Sequence, residues 1–444
     1  MTLSIGFIGA GNMGRPFIRA LLETGFRVTV HDYDPGCERW VRGQGAQWAA
    51  TPAAAAQDID VLITCLPLPE QVRETMIGHN GALAAPVDDD VDREVVWIDT
   101  STTDYHNTLD IARMAAPLGV MSLEAPVSNL SHMGVDFNNV CFYVGGEKKA
   151  YDKVRGVLDA MGQYSFHVGA IGQGQSVKLL TNLLFYCATL AWGELLLVAQ
   201  NQGLDLRWLW NVAKTSRANC FVVDQVTPML LDGSYDHSCT LEITVKDMAL
   251  TVALADELGV DLPLGRLTEA RYRQAGGLYP ARANHLKVVA MMETENQRRL
   301  LIEGFTAPSP YGADRNYRHP HTFDVDARGR RKPSLPERFG YPLSHPACGR
   351  YAQCLLEVMA WTNHSILQEA LQLGRAMGLE PSLLDQVVSR SCGASWVDDH
   401  RDRYVPHGAV LRDLPRLMES LHLPILRALD LDAVVACQPV RQAS

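Results

Sequence analysis

The sequence predicts an α/β region followed by an all-α one: a doubly wound parallel sheet at the N-terminus, then a helical domain that occurs twice. Three observations predict it. Over roughly the first 165 residues short β-rich runs alternate with helical ones, as a sheet wound on both faces requires. Past Gly172 the strand signals nearly vanish and long helical segments take over. Beyond residue 346 the chain repeats, at a constant offset, residues it has already used.

Taken in order, residues 4–8, 27–31, 61–65, 94–99 and 140–144 read as strands, with 121–124 a further short one. Most of these runs are continuously apolar rather than alternating, the pattern of strands covered on both faces. Residues 15–23 and the Ala-rich region at 51–57 read as helical. After three clustered glycines between 168 and 174, residues 175–202, 206–215, 244–258 and 264–275 carry helical periodicity. Residues 296–346 are rich in Arg, Pro, Tyr and His without a sustained period, which reads as a linker or a wrapping arm. His319 and His321, with Asp314 and Asp324, fit no common metal-ligand spacing, so no metal is expected. The domains are therefore placed at 1–170, 171–295, 296–346 and 347–444.

The last of these is a degenerate copy of the second. Shifted by 175 residues, nine of the 31 positions from Glu194 to Asp224 are identical, among them Glu369 on Glu194, Gly378 on Gly203 and Ser391 on Ser216. By composition, chance would give about two.

A chain of 444 residues exceeds what one core usually holds, and 47% hydrophobic against 20% charged residues is a globular balance. The formal charge of −10 gives no general attraction to nucleic acid or anionic lipid. Ten cysteines without a Cys-x-x-Cys pair, and an N-terminus running straight into a strand, read as a reduced cytoplasmic protein. Residues 179–199 are apolar enough to raise the question of a membrane span. Asn182 and Glu194 within them, and Lys178 at the edge, fit a buried core helix better.

The chemistry begins at Gly9-Ala10-Gly11-Asn12-Met13-Gly14, between a strand and a helix. Gly9 permits the tight turn, Gly11 lets the backbone approach a pyrophosphate, and Gly14 lets helix and strand pack closely. This marks the first region as a Rossmann dinucleotide-binding domain. The second strand runs into Asp32, placed to accept hydrogen bonds from ribose hydroxyls and to repel a 2′-phosphate. That favours NAD over NADP, since the nearest arginine further along is Arg39. At the change from α/β to helix, Lys178 and Asn182 stand four residues apart and share one helix face, an arrangement suited to proton transfer with a substrate hydroxyl.

With these motifs the chain resembles the β-hydroxyacid dehydrogenases, the family of 3-hydroxyisobutyrate dehydrogenase, over about residues 3–295. The glycine turn is similar to the family's cofactor signature. Leu66-Pro67 and Asp99-Thr100-Ser101-Thr102 are similar to its other cofactor-contacting turns. Glu124-Ala125-Pro126-Val127-Ser128 resembles its substrate motif, Lys178 with Asn182 its catalytic pair, and Lys246-Asp247 its late cofactor-side pair. The resemblance implies hydride transfer between a nicotinamide and a β-hydroxyacid-type alcohol or carbonyl, with Lys178 as general acid/base and Asn182 orienting the hydroxyl. It also implies carboxylate binding at Ser128 and the backbone after it. Where the family continues into two glycines, this chain has Asn129-Leu130-Ser131-His132, so these side chains are expected to contact a substrate of another shape or larger size.

The duplicated helical domain resembles that of 6-phosphogluconate dehydrogenase, but Thr181 and Phe185 stand where that enzyme has a histidine and a glutamate. Gln353 and Glu357 lie opposite Lys178 and Asn182, so the second copy is expected to be catalytically silent. The expected partners are a small hydroxyacid or carbonyl substrate and a second copy of the chain, with the internal repeat replacing part of the dimer contact. Neither nucleic acid nor membrane is expected. Two other readings stand beside this one: an imine or unusual carbonyl reductase on the same scaffold, and a cofactor-binding protein whose catalysis has lapsed.

Overall fold

The computed structural model describes residues 3–85, 94–128, 140–235, 239–305, 349–401 and 404–429. Its contacts divide into two compact units, one ending at Lys178 and one beginning at Leu179.

The first unit is built on strands β1 (Ser4–Ile8), β2 (Arg27–His31), β3 (Gln47–Trp48), β4 (Val61–Thr64), β5 (Val95–Asp99), β6 (Val120–Glu124), β7 (Val127–Ser128), β8 (Cys141–Gly146) and β9 (Tyr164–Gly169). The sheet order is β3-β2-β1-β4-β5-β6-β8-β7, with β9 beside β8. From β3 to β6 every pairing is parallel, while β8 runs antiparallel to both β6 and β7. The continuous apolar runs are explained by the two cores they serve. Phe7, Ile63 and Ile98 enter one core, with Phe17 and Ile18 of α1 (Gly14–Glu23), whereas Ile8, Leu62 and Trp97 enter the other, with Val72 and Met76 of α2 (Pro69–Ile77) and Ile111 of α3 (Tyr105–Ala115). Successive side chains of one strand thus leave on opposite faces, and both faces are covered. A further helix, α4 (Lys148–Met161), adds Val154 and Leu158 to the first core.

The second unit is helical. Its axis is α5 (Gln173–Asn201), whose first residues belong to the sheet unit. The helix is long and apolar enough to cross a membrane, with a mean hydropathy of 1.5 over its most apolar 18-residue window, but every residue of that window is buried. It is a core helix. Around it lie α6 (Leu206–Lys214), α7 (Leu241–Leu258), α8 (Pro263–Leu278) and α9 (Lys287–Glu295). Within residues 296–305, placed in the arm by their composition, Leu300 is fully buried, and Asn296 exchanges hydrogen bonds with the backbone of His422.

From Arg350 the architecture repeats. Helix α10 (Arg350–Ala376) ends 175 residues after α5, and each is followed by a left-handed glycine, Gly203 at φ +72° and Gly378 at φ +73°. Helix α11 (Pro381–Val388) answers α6. Ser216 and Ser391 close the next turns with the same pair of bonds, each hydroxyl donating to a carbonyl three residues back and accepting from the N–H two residues on.

The copies face one another across a pseudo-twofold. Phe221 N–H donates to Ala394 O (2.9 Å), and Trp396 N–H to Asn219 O (2.8 Å), which are the same contact read from either side. Glu194 on α5 accepts from the N–H groups of Ile425 and Leu426 at the start of α12 (Pro424–Ala428). Its counterpart Glu369 accepts from Leu264 and Gly265 at the start of α8. Each copy therefore caps a Leu-Pro helix of the other, satisfying N–H groups that a helix leaves without partners. This self-complementary pattern is the one a symmetric dimer would make.

Candidate active site

Strand β1 delivers the chain into the glycine turn. Gly9 takes φ +109°, and a Cβ there would lie 2.3 Å from Cys65 O. At Gly14 a Cβ would lie 1.8 Å from Gly9 O, so only glycine lets α1 start this close to the strand. Gly11 faces open space, with nothing within 4 Å of a Cβ, and Asn12 beside it is exposed while Met13 is half-buried. No side chain caps α1 at Met13, which leaves the helix start available to an anion. Asp32 after β2 is tied to this turn, its Oδ2 accepting from Ala10 N–H (2.6 Å) and its Oδ1 from Asp34 N–H (2.8 Å). Each oxygen keeps a further lone pair for a ribose hydroxyl. An open glycine, an uncapped helix start and an acidic strand end together fit a dinucleotide.

The turns after β4 and β5 are fixed from beneath by a buried polar chain. Trp97 Nε1–H donates to Thr64 Oγ1 (3.0 Å), and the Thr64 hydroxyl donates to Asp99 Oδ1 (2.8 Å). Asp99 also receives Ser101 N–H (3.1 Å), and Ser101 Oγ receives Leu66 N–H (2.9 Å). Leu66 and Thr102 are half-buried, and Pro67 is exposed. Nothing in the spacing announces Thr64, a polar residue on a fully buried strand. Its role follows only from the parallel register that sets Thr64 against Asp99.

The start of α5 is anchored within the sheet unit. Gly174 N–H donates to Glu124 Oε1 (2.6 Å), Gln175 Nε2–H to Ser101 O (2.8 Å), and Thr103 N–H to Gln175 Oε1 (3.1 Å). Burial pushes the Glu124 carboxyl up to about 8, against the pull of the N–H groups of Gly174, Gln175 and Gly172. Glu124 was legible as part of a motif but not as the cap of the helix that carries Lys178. Lys178 is half-buried near the start of α5, one turn before Asn182, which is 3% exposed. Asn182 Nδ2–H donates to Asp247 Oδ2 (2.8 Å), and Lys246 Nζ lies 3.2 Å from Asp247 Oδ1. Ser128 is buried on β7, opposite Cys141. Asn129, Leu130, Ser131 and His132 lie outside the described residues, as do His319 and His321. Among the described residues no cluster of three or more His, Cys, Asp or Glu side chains could hold a metal ion.

In the second copy, Glu357 stands where α5 has Asn182. It is buried, and its Oε1 accepts from His407 N–H (3.0 Å) and Tyr404 OH (3.4 Å). Glu357 thus takes its partners from the segment after α11, whereas Asn182 takes its partner from Asp247 on α7.

Comparison with known proteins gives the family. Residues 4–169 match the family described as the NAD binding domain of 6-phosphogluconate dehydrogenase, and residues 172–292 the family described as NAD-binding of NADP-dependent 3-hydroxyisobutyrate dehydrogenase. The 3-hydroxyisobutyrate dehydrogenase of Pseudomonas aeruginosa is 31% identical over 270 residues, 59% of this chain and 89% of that protein. The chain belongs to the β-hydroxyacid dehydrogenase family. The 2-(hydroxymethyl)glutarate dehydrogenase of Eubacterium barkeri is 28% identical over 264 residues, 59% of this chain and 86% of that protein. The solved Mycobacterium tuberculosis 3-hydroxyisobutyrate dehydrogenase with L-serine superposes with a TM-score of 0.59 at 26% identity, covering 66% of this chain and 99% of that one. As a β-hydroxyacid dehydrogenase the chain is an NAD(P)-dependent oxidoreductase of hydroxyl groups. Both family matches end by residue 292, so the second helical copy lies beyond them.

Proposed function

We propose that this β-hydroxyacid dehydrogenase interconverts a hydroxyl β to a carboxylate and the matching carbonyl, with NAD as the preferred cofactor and Lys178 as general acid/base. The observation that carries the reading is the placement of Lys178 and Asn182 one turn apart on a helix whose start is locked by Glu124, Ser101 and Thr103. A proton-transfer group is effective only when held in place, and this helix start is held by the end of β6 and the loop after β5.

The cofactor, when bound, supplies the nicotinamide carbon that accepts or returns the hydride. Gly9, Gly11, Asn12, Met13 and Gly14 would hold its pyrophosphate, Asp32 its ribose hydroxyls, and Leu66, Pro67, Thr102 and Lys246 its remaining length. In the oxidation direction Lys178 Nζ takes the hydroxyl proton, and Asn182 orients the hydroxyl towards it. Ser128 receives the carboxylate. The side chains at Asn129, Leu130 and Ser131 in place of a glycine pair support a substrate larger than the usual small hydroxyacid.

The NAD preference rests on Asp32, with Asp34 two residues on. A 2′-phosphate would meet this negative charge with no compensating partner assigned to it. The test is absorbance at 340 nm across a panel of small, aryl and sugar-derived hydroxyacids, run with NAD and with NADP on the wild type and Asp32→Ala. Turnover with NAD, and a loss in Asp32→Ala that falls mainly on NAD, is the expected result. Equal losses with both cofactors would remove the NAD preference. Consumption of NADPH that requires an amine would replace the alcohol reading with an imine one.

A further inference from the structure

The second copy does more than bury an apolar face. The turn from Ser391 to Ala394 lies directly on the stretch of α5 that carries Asn182. A Cβ on Gly393 would be 2.6 Å from Leu184 Cδ1, so the turn's backbone is pressed against the helix one half-turn beyond Asn182. Inside this contact, Cys392 is 7% exposed, its Sγ 3.7 Å from Thr181 O and 4.0 Å from Asn182 Oδ1. The Asn182 carboxamide is thereby held from two sides. Asp247 accepts from Nδ2, and the single S–H of Cys392, shared between Thr181 O and Asn182 Oδ1, is the donor that faces Oδ1. A carboxylate on one side and a thiol on the other can both be satisfied by only one orientation of the amide.

We propose that Cys392 is a positioning residue for Asn182, and that the second copy thereby completes the active site of the first. The thiol fixes the oxygen side of the carboxamide, which leaves the second Nδ2 hydrogen as the donor directed at the substrate hydroxyl. The two copies are not equivalent at this place. The counterpart of Cys392 is Arg217, whose guanidinium lies over Trp396 (5.5 Å to the ring centre) and donates to Val405 O (3.2 Å), beside the segment that closes over Glu357. A small donor faces the asparagine, and a long cation faces the copy that lacks one. This inference rests on the proposed role of Asn182, and its test separates the two.

Cys392→Ala, Cys392→Ser, Asn182→Ala and the double variant Asn182→Ala/Cys392→Ala are compared in the full chain by steady-state kinetics, NAD affinity and melting temperature. The expected result is a kcat lowered roughly tenfold in Cys392→Ala, with NAD affinity and melting temperature held, and recovery in Cys392→Ser, which keeps a donor. The double variant is expected to be no slower than Asn182→Ala alone, since Cys392 acts through that residue. Additive losses, or equal losses in the serine and alanine variants, would overturn the positioning role while leaving Asn182 in place. Wild-type turnover in Asn182→Ala would overturn the role of Asn182 and this inference with it.

Discussion

Replacing Lys178 with alanine should lower turnover at least about a hundredfold, the scale on which enzymes lose a general acid/base, while NAD binding and the melting temperature stay at wild-type values. The separation follows from where the residue stands. The contacts that hold the start of α5 come from Gly174, Gln175 and the residues they meet, and the glycine turn and Asp32 are built from other parts of the chain. Truncating a half-buried side chain after that anchored turn removes the proposed proton acceptor and leaves the bonds made by Gly174 and Gln175 in place. Isothermal titration with NAD, thermal unfolding and turnover, measured on one preparation, check all three parts. Near-normal turnover would take the acid/base role away from Lys178, and weakened NAD binding would move the residue into the cofactor site.

The next largest effect should come from the two glutamates that the copies exchange. Glu194→Ala or Glu369→Ala leaves two buried helix N–H groups without acceptors, and each change should cost about 2–4 kcal/mol in unfolding experiments. Their ionisation gives the same contacts a pH dependence. Burial pushes Glu194 up to about 8 and Glu369 up to about 7, against the opposing pull of the N–H groups each one caps. A carboxyl whose pKa is higher in the folded chain than in the unfolded one binds more protons when folded. Its contribution is therefore fully present below the unfolded value of about 4.5 and is lost progressively as pH rises from there to the folded values of about 7 to 8. Melting temperature should accordingly fall across that range, and the fall should be shallower in Glu194→Gln/Glu369→Gln, which has no carboxyl to ionise at either place. An unchanged slope would assign the pH dependence to other groups.

The sheet unit was legible because its strands carry their signal locally. Residues 4–8 and 27–31 were read at the bounds the structure has, and the glycine turn lies between strand and helix as its spacing requires. Strand β9 was missed although Tyr164, Phe166 and Val168 alternate with Ser165, His167 and Gly169, because the run is six residues long and its side chains are mostly half-buried. The antiparallel course of β8 was missed for another reason, since an apolar run does not state its direction. In the helical unit the repeat could be read where the offset is constant. The matching Leu262-Pro263 and Leu423-Pro424 helix starts were not found, because the second copy is shorter there and the offset changes. The partners of Glu194, Glu369 and Asn182 are set by tertiary contacts between residues 65 to 232 positions apart, and spacing along the chain does not encode them.

The proposed reaction depends most directly on transfer of hydrogen from the substrate's carbinol carbon. The measurement is mass analysis of the reduced cofactor formed from NAD and a hydroxyacid substrate deuterated at that carbon. The expected product is NADH one mass unit heavier, with the deuterium retained in buffered water. Unlabelled NADH, with the deuterium released to solvent, would contradict it.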